Sequence, residues 1–378
     1  MKKAYFLTLL MTLIFCLSSA FSQPYGASKH SLDSSQDQAC TAFRINASDG
    51  TIILGRSMEF VSNFGNNITL VPRGFQYTGT APDGKPGFSW KTKYGILGAS
   101  CYDQPQFSDG MNEAGLAVSS LWFPGFAEYQ EVGPENASRS MAPWELTTWA
   151  LGSFATVEEF RDAIGKVLVW NAISLAVGTT TPQHYIFYDA KGGCLVLEYV
   201  NGQANIYDNS LGVMTNSPPF PWHVTNLKNY EELRAQNVLP VNISGIEITG
   251  TSQGTGMLGL PGDYTSPSRF VRCVALTQTA YPPKDAAEGV NMAFHILNAF
   301  DITKGVVRTE DNGKEVSDYT QWVTVKDITN KVLYYRTYDN LDLRKVDLKM
   351  LNFGGNKTES VSLLEGREEI QDLSDRFN

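Results

Sequence analysis

The apolar and polar positions after residue 40 alternate in short runs that Gly and Asp interrupt. Residues 41–46 and 51–54 flank the turn sequence Ala47-Ser48-Asp49-Gly50, which predicts a β-hairpin with Cys40 at the outer end of its first strand. The same pattern predicts six further strands, at residues 67–71, 116–121, 185–188, 194–200, 322–327 and 332–338.

Helical periodicity is less frequent than the strand pattern. Apolar residues recur at helix spacing in 140–151, 156–167 and 286–300, and Thr156 with Glu159 forms a capping box. Strands and helices do not alternate regularly, which argues against a doubly wound parallel sheet and favours a layered α+β protein with antiparallel sheets. Because no repeat or long linker follows Cys40, we predict a single domain over 40–378.

The first 39 residues have the features of a segment that is removed. Two lysines precede an apolar run that ends in small residues, so we predict a secretory signal peptide over 1–22. A membrane anchor is the alternative, but the run is barely long enough and no charged stop follows it. The polar stretch 23–39 has little that could pack and is predicted to be a removed spacer or propeptide. We therefore expect an exported, periplasmic or secreted protein whose mature chain begins at Cys40 and which has no membrane contact after cleavage.

Composition narrows the classes of partner. The formal net charge is −9, and the absence of any Lys or Arg cluster argues against binding nucleic acid or an anionic membrane surface. The cysteines that remain after position 39 lack the spacing of a zinc site or a redox pair. We predict that three of them fill apolar space in the core: Cys101, Cys194 and Cys273.

Residues 252–268 are rich in Gly, Thr and Pro and are too long for a routine connection, which is typical of a functional loop. The segment resembles a phosphate-binding loop only superficially. It lacks the Gly-Lys-Ser/Thr ending, and we expect no helix directly after it.

The sequence offers few candidates for a catalytic base. Outside the segment predicted to be lost, the histidines are His184, His223 and His295, and each is predicted to be structural. A mature chain that starts with Cys40 has another base, because a free α-amine has a pKa of about 7.7–8.0 and can accept the thiol proton.

The predicted hairpin brings a charged pair toward this cysteine. It returns Arg56 to the side of Cys40, where a cation favours the thiolate. Glu59 follows and is placed to orient the α-ammonium group. An ordinary surface ion pair is the alternative explanation of Arg56 and Glu59.

Several segments, in register from Cys40 to about Tyr338, together resemble the choloylglycine hydrolase family, which contains bile salt hydrolases and penicillin V acylases. The segments are Cys40-Thr41, Gly55-Arg56-Ser57-Met58-Glu59, Asp109-Gly110-Met111-Asn112-Glu113-Ala114-Gly115-Leu116, Gly212-Val213-Met214-Thr215-Asn216-Ser217-Pro218 and Leu260-Pro261-Gly262-Asp263-Tyr264-Thr265-Ser266-Pro267-Ser268-Arg269-Phe270. The resemblance implies a four-layer αββα N-terminal-nucleophile hydrolase fold, with two antiparallel sheets between helical layers. It also implies cleavage of a linear amide without a metal or organic cofactor, and often a homotetramer.

The resemblance also assigns roles to single residues. Cys40 matches the nucleophile, Arg56 the cation beside it, Asn216 the side-chain donor of the oxyanion hole and Arg269 a second active-site arginine. Two positions depart from the family pattern. Glu59 stands where Asp is common, and Trp122 stands where bile salt hydrolases typically have Asn and some penicillin V acylases Tyr.

Trp122 bears on the substrate. Its backbone N–H is able to complete the oxyanion hole, and its indole favours an aromatic or aliphatic acyl group over a polar-edged steroid. Plain core packing is the alternative role for this side chain.

These observations predict hydrolysis of a linear N-acyl amide, a small-molecule substrate, through a Cys40 thioester acyl-enzyme. Penicillin V-type or other N-acyl substrates are favoured by Trp122, and conjugated bile acids are the close competitor. Two other classes stay open: a non-catalytic exported binding protein on the same scaffold, and a papain-like cysteine protease. The latter needs an essential histidine and an internal cysteine.

Overall fold

The computed structural model describes residues 39–61, 65–311, 313–363 and 370–377. The predicted signal peptide and nearly all of the predicted spacer lie outside the described residues. Within the described part the strands are β1 (Cys40–Asn46), β2 (Ile52–Phe60), β3 (Asn67–Val71), β4 (Gln76–Thr80), β5 (Pro86–Lys91), β6 (Ile96–Ser100), β7 (Phe107–Asn112), β8 (Leu116–Trp122), β9 (Ser140–Met141), β10 (Leu168–Val169), β11 (Gln183–Asp189), β12 (Cys194–Val200), β13 (Gln203–Asp208), β14 (Val241–Ile243), β15 (Ile246–Ile248), β16 (Val307–Asp311), β17 (Lys314–Asp327), β18 (Val332–Thr337), β19 (Asn340–Asp347) and β20 (Glu359–Ser362). The α-helices are α1 (Leu146–Ser153), α2 (Val157–Ala163), α3 (Phe220–Leu227), α4 (Ser266–Thr279) and α5 (Ala286–Asn298).

Two large antiparallel sheets form the centre of the fold. The first has the strand order β1-β2-β17-β18-β19, with β16 paired to β17, and the second has the order β13-β12-β11-β8-β7-β6-β3-β20. The predicted hairpin of β1 and β2 is confirmed, with Gly50 at φ +88° in its turn, a conformation that an L side chain rarely adopts. β2 continues past the predicted end at residue 54 to Phe60, so Arg56 and Glu59 lie inside a strand rather than after it.

Apolar side chains from the facing sides of both sheets fill the space between them, among them Leu97, Ile186 and Trp322. Helices α4 and α5 pack against β1 and β2 on the outer side of the first sheet. Helices α1 and α2 cover the outer side of the second sheet over a separate apolar cluster that includes Trp149 and Phe160. The resulting αββα layers confirm the predicted α+β fold class.

Helix predictions had mixed outcomes. Helix α5 is confirmed. Thr156 caps α2, because its side chain accepts from the Glu159 N–H at 3.2 Å. The Glu159 carboxylate accepts from the Ala155 N–H instead of the Thr156 N–H, so the predicted capping box is not complete. The predicted helix over 140–151 is wrong in its first half: Ser140–Met141 is a strand, and α1 begins only after Pro143.

The loop prediction over 252–268 is wrong at its end. Helix α4 begins at Ser266 with a proline in its first turn, so a helix does follow the loop directly. The described residues from Ala39 onward form one compact unit. Across the described ranges, none of the helices has the length and apolar character needed to cross a membrane.

Candidate active site

The Cys40 side chain and its backbone nitrogen are held by different partners. The residue is buried at the start of β1, with 2% of its surface exposed. Its N–H donates to Asn216 Oδ1 at 2.7 Å, and its Sγ lies 3.1 Å from Arg56 Nη2, which donates to it. The thiol therefore faces a cation while the nitrogen faces an amide oxygen.

Backbone pairing explains how distant segments meet at Cys40. Ala42 lies opposite Arg56 in the β1–β2 register, so the hairpin returns the arginine beside the cysteine as predicted. On the other edge of β1, Ala42 and Met214 exchange backbone hydrogen bonds of 2.8 and 2.9 Å. This bridge brings Asn216, two residues further along, to the Cys40 nitrogen.

Arg56 is fully buried, and burial alone would lower its pKa. The neighbouring groups of Cys40, Asp109 and Glu59 outweigh burial and raise that pKa, so the guanidinium stays charged. Its Nη2 also donates to the Ser120 carbonyl at 3.0 Å, and its charge lies 5.9 Å from the centre of the Trp322 ring. Arg56 is thus a fixed cation beside the sulfur.

Arg269 in α4 connects β1 to Asn216. Its Nη1 donates to the Cys40 carbonyl and to Thr41 Oγ1, and its Nη2 donates to Asn216 Oδ1 at 2.7 Å. Its Nε donates to the Tyr264 carbonyl at 2.9 Å. Burial lowers its pKa, and the nearby Glu59 and Cys40 oppose that effect. The arginine holds these groups from behind and does not line the cavity into which Cys40 opens.

The placement of Glu59 differs from the expected contact with the Cys40 nitrogen. Its Oε1 accepts from Thr320 Oγ1 at 3.0 Å, and its Oε2 has no hydrogen-bond partner in the described part of the chain. The backbone N–H of Glu59 instead donates to the carbonyl of Ala39, the residue before Cys40, at 3.0 Å. Burial raises the pKa of the Glu59 carboxyl to about 7, against the lowering effects of Arg269 and Arg56.

Trp122 at the end of β8 presents its backbone to Asn216. Its carbonyl accepts from Asn216 Nδ2 at 2.8 Å. Gln183 lies opposite Trp122 in the β8–β11 register, but its N–H donates to the Tyr129 hydroxyl at 2.7 Å. In an antiparallel ladder the N–H and C=O of one residue point to the same side. The Trp122 N–H therefore points toward the Asn216 side, away from β11.

A cavity of about 430 Å³ opens over the sulfur. Cys40, Arg56 and Trp122 line it, whereas Glu59, Asn216 and Arg269 do not. Its walls also include these aromatic and aliphatic side chains: Met58, Phe60, Phe107, Leu121, Trp144 and Leu175. Among the described residues, Arg56 is the one charged residue that lines this cavity. The cavity therefore suits an apolar group placed against the thiol.

The histidines and the other cysteines have mostly the predicted roles. His184 and His223 are fully buried and bond the carbonyls of Thr215 and Asn216 at 2.9 and 2.8 Å, so they brace the Asn216 turn. Burial lowers the pKa of His223 to about 4. Cys194 and Cys273 are core residues as predicted, but the prediction for the remaining cysteine is wrong.

That cysteine, Cys101, is only partly buried and lines the cavity together with Cys40. It follows the last residue of β6, and its Sγ lies 3.6 Å from Asn66 Oδ1.

Sequence reasoning missed a buried ion pair near Arg56. Asp109 in β7 and Lys326 in β17 are in direct contact and have 0% and 1% of their side chains exposed. Charged residues inside otherwise apolar strands are the signal that could have revealed them, because burying a charge requires a partner.

The fold and this cysteine, arginine and asparagine arrangement define a class, the linear amide hydrolases. The chain belongs to the family described as linear amide C–N hydrolases, choloylglycine hydrolase family, whose profile matches residues 40–363. It is 32% identical to a bile salt hydrolase/transferase of Clostridium perfringens over 84% of this chain and 95% of the relative. It is 26% identical to a penicillin V acylase of Pectobacterium atrosepticum over 80% of this chain and 78% of the relative.

Solved structures agree with this assignment. A crystal structure of a conjugated bile acid hydrolase variant from Clostridium perfringens superposes with a TM-score of 0.79 at 31% identity, covering 89% of this chain and all of the other. Penicillin V acylase from Agrobacterium tumefaciens shares the fold, with a TM-score of 0.70 at 24% identity over 87% of this chain and 92% of that one. The protein is therefore a hydrolase of non-peptide C–N bonds in linear amides.

Proposed function

We propose that Cys40 is the nucleophile and that it acts as the first residue of the mature chain. The observation that carries this proposal is the pair of contacts at Cys40: its Sγ meets Arg56 at the cavity floor while its nitrogen is bonded to Asn216. The family match that begins at Cys40 adds support.

The reaction follows from these positions. The free α-amine of Cys40 accepts the thiol proton, and the sulfur forms a bond to the acyl carbon of the substrate. The C–N bond then breaks, the departing amine takes the proton from the α-ammonium, and a thioester remains. Water, deprotonated by the same amine, attacks the thioester and releases the carboxylic acid and the thiol.

The oxyanion of each tetrahedral intermediate needs donors that are already in place. Asn216 Nδ2 carries two hydrogens, of which one goes to the Trp122 carbonyl, and the Trp122 N–H faces the same region. We assign these two groups to the oxyanion hole. Arg56 stabilises the thiolate, and Arg269 fixes Cys40 against Asn216. When it is ionised, above its raised pKa of about 7, Glu59 supplies negative charge behind both arginines.

The α-amine is preferred as base because the alternatives are badly placed. His184 and His223 bond backbone carbonyls and do not line the cavity, and His295 is exposed on α5. A papain-like mechanism would need one of these rings at the thiol. Removal of 1–39, with export through the signal peptide over 1–22, would turn the Cys40 amide into the required amine.

For the substrate we propose a small N-acyl amide with an apolar acyl group, penicillin V-type in the first place. Trp122 lines the cavity and packs in a T-shaped arrangement with Phe60, at a centroid distance of 6.5 Å, which suits a flat aromatic group. Conjugated bile acids are the second candidate, favoured by the cavity volume of about 430 Å³ and by the names of the bile salt hydrolase relatives.

The experiment compares two forms of the protein, one beginning at Cys40 and one beginning at Ala39, with intact mass measured before and after assay. We expect turnover of N-acyl amides only from the form that begins at Cys40, because an acylated nitrogen cannot accept the thiol proton. Equal activity from a stable form that keeps Ala39 would refute the mechanism. A Cys40→Ala variant that still hydrolyses substrate would refute the nucleophile, and binding without turnover in the wild type would favour the binding-protein alternative.

We also propose a homo-oligomer. The hairpin of β14 and β15 presents Val241, Ile243, Ile246 and Ile248 as cross-strand pairs, with 49–64% of each residue exposed. An apolar face of this kind is typical of a subunit interface. Light scattering of the wild type and of Ile243→Asp measures the oligomeric state, and we expect a tetramer only for the wild type.

A further inference from the structure

A buried ion pair joins the two central sheets near Arg56. Asp109 belongs to the eight-stranded sheet and Lys326 to the other, and the Lys326 ammonium donates to Asp109 Oδ1. Both side chains are removed from solvent. Because a buried pair of charges is weak support for stability compared with apolar packing, its place beside the active site suggests another role.

The two carboxylate oxygens of Asp109 reach both walls that enclose Arg56. Ser119 Oγ donates to Oδ1 at 2.5 Å, and Ser119 precedes Ser120, whose carbonyl accepts from Arg56 Nη2 at 3.0 Å. Thr324 Oγ1 donates to Oδ2 at 2.7 Å, and Thr324 lies directly opposite Arg56 in the β2–β17 register. One side chain therefore fixes the β8 wall and the β17 wall of the arginine at once.

We propose that Asp109, paired with Lys326, is a positioning residue that holds the Arg56 guanidinium at the Cys40 sulfur. This inference rests on the proposed role of Cys40 as nucleophile. Asp109 acts through Arg56 and does not touch the substrate, because it lies outside the cavity lining. The contact it preserves is the 3.1 Å approach of Arg56 Nη2 to Sγ.

The charges around the pair give the experiment a sign. Burial works to raise the pKa of Asp109, but Lys326 and Arg56 lower it below its usual value, so the carboxylate is ionised. Tyr188 also faces Asp109, and Cys40, Glu59 and Cys101 face Arg56. Loss of the Asp109 charge alone would leave more positive charge and favour the thiolate. Loss of the Arg56 position would disfavour the thiolate, which is the opposite direction.

The test therefore uses a variant that keeps the net charge, Asp109→Asn/Lys326→Gln, which also avoids leaving a buried charge unpaired. The measurements are kcat, KM and the pH dependence of Cys40 alkylation by iodoacetamide, followed on the Cys40 peptide by mass spectrometry. We expect kcat to fall by about tenfold to hundredfold with KM changed by less than about threefold, and the alkylation midpoint to move to higher pH.

A milder variant, Thr324→Val, removes one hydrogen bond at nearly constant volume. It should lower kcat by about threefold to tenfold and move the alkylation midpoint in the same direction. The matched control is Asp189→Asn. Asp189 is a buried carboxylate that accepts from the backbone N–H groups of Val157 and Gly193 at 2.8 and 2.9 Å, away from the site. It should cost stability and leave kcat and the alkylation profile unchanged.

If the double variant had the kcat and the alkylation midpoint of the wild type, the positioning role would be overturned and Asp109 would be a structural residue. An alkylation midpoint that moves to lower pH would also overturn it, because that shift is expected when the Asp109 charge is lost but Arg56 keeps its position. Failure of the proposed function is recognised separately, by turnover in Cys40→Ala.

Discussion

Asn216 fixes the relative positions of three groups, and its amide orientation follows from its partners. Oδ1 accepts from two donors, the Cys40 N–H and Arg269 Nη2, while Nδ2 donates to the Trp122 carbonyl. A flipped amide would place hydrogens against hydrogens and oxygen against oxygen. The second Nδ2 hydrogen is therefore directed by contacts that exist before substrate binds.

The Asn216→Ala variant removes this donor. We expect kcat to fall by roughly 10²–10³-fold with a much smaller change in KM, because the donor acts mainly on the charge that develops in the transition state. The measurement is steady-state kinetics with an N-acyl amide. Asn209→Ala is the control, since the buried Asn209 side chain bonds backbone groups instead: it donates to the Val213 carbonyl at 2.9 Å and accepts from the Gly212 N–H at 3.0 Å. An effect of Asn216→Ala on KM alone would assign the residue to substrate binding.

Glu59 gives the protein a pH-dependent stability with a definite sign. Its folded pKa of about 7 lies above the ordinary value of 4.5, so the folded state holds this proton more tightly than the unfolded chain does. The associated stability is complete below pH 4.5 and is lost as the pH rises through 7.

Glu59→Gln should remove this pH dependence. The difference in unfolding free energy between variant and wild type should rise by on the order of 3 kcal/mol in favour of the variant between pH 4 and pH 8. Urea titrations at both pH values measure it, with the exposed Glu135→Gln as control. Parallel pH curves for Glu59→Gln and wild type would contradict the burial of a titrating carboxyl.

At the scale of elements, sequence patterns succeeded where apolar periodicity is clean and failed where the fold buries charge. The β1–β2 hairpin and helix α5 have the expected alternation or helical spacing. The second half of β2 carries Arg56 and Glu59, and α4 carries Arg269 and Arg272 on its buried side. These charges break the pattern, because their partners come from other elements that a local window cannot include.

The candidate site residues were also predictable only where their contacts are local in the sequence. Cys40 and Arg56 are joined by a local hairpin, so their contact could be predicted from the turn. The Asn216 contact with Cys40 depends on a backbone bridge at Ala42 and Met214, which carries no local signal. The family resemblance assigned Asn216 to the site as an oxyanion-hole donor, but it did not predict this contact.

Helix α4 offers a matched pair of arginines for an experiment. Arg269→Lys should lower kcat by about 10²-fold, because a single ammonium cannot replace a planar fork that reaches Cys40, Thr41 and Asn216 together. Arg272→Lys is the control from the same helix, since Arg272 donates to the Pro261 and Asp263 carbonyls. Steady-state kinetics should separate the two, and equal losses would show that α4 requires arginine only for stability.

At the scale of the whole molecule, the cavity has no counterpart in any single stretch of sequence. Its lining comes from β1, β2, β8 and the segment around Leu175, which are distant along the chain. The sequence could identify Trp122 as unusual, but only the packed sheets place it in the cavity lining together with Cys40.

The preference between substrates tests the role of Trp122 in the cavity lining. A buried aromatic ring contributes about 0.5–1.5 kcal/mol of stacking with a phenyl group beyond area burial, whereas a steroid gains mainly unspecific apolar contact. We expect a higher kcat/KM for penicillin V than for glycine- or taurine-conjugated bile acids, and we expect Trp122→Asn to move the ratio toward the bile acids. Trp122→Phe keeps an aromatic face and should preserve the preference. A wild-type preference for the bile conjugates that Trp122→Asn leaves unchanged would make Trp122 a packing residue and would place specificity in the other cavity walls, such as Trp144 and Leu175.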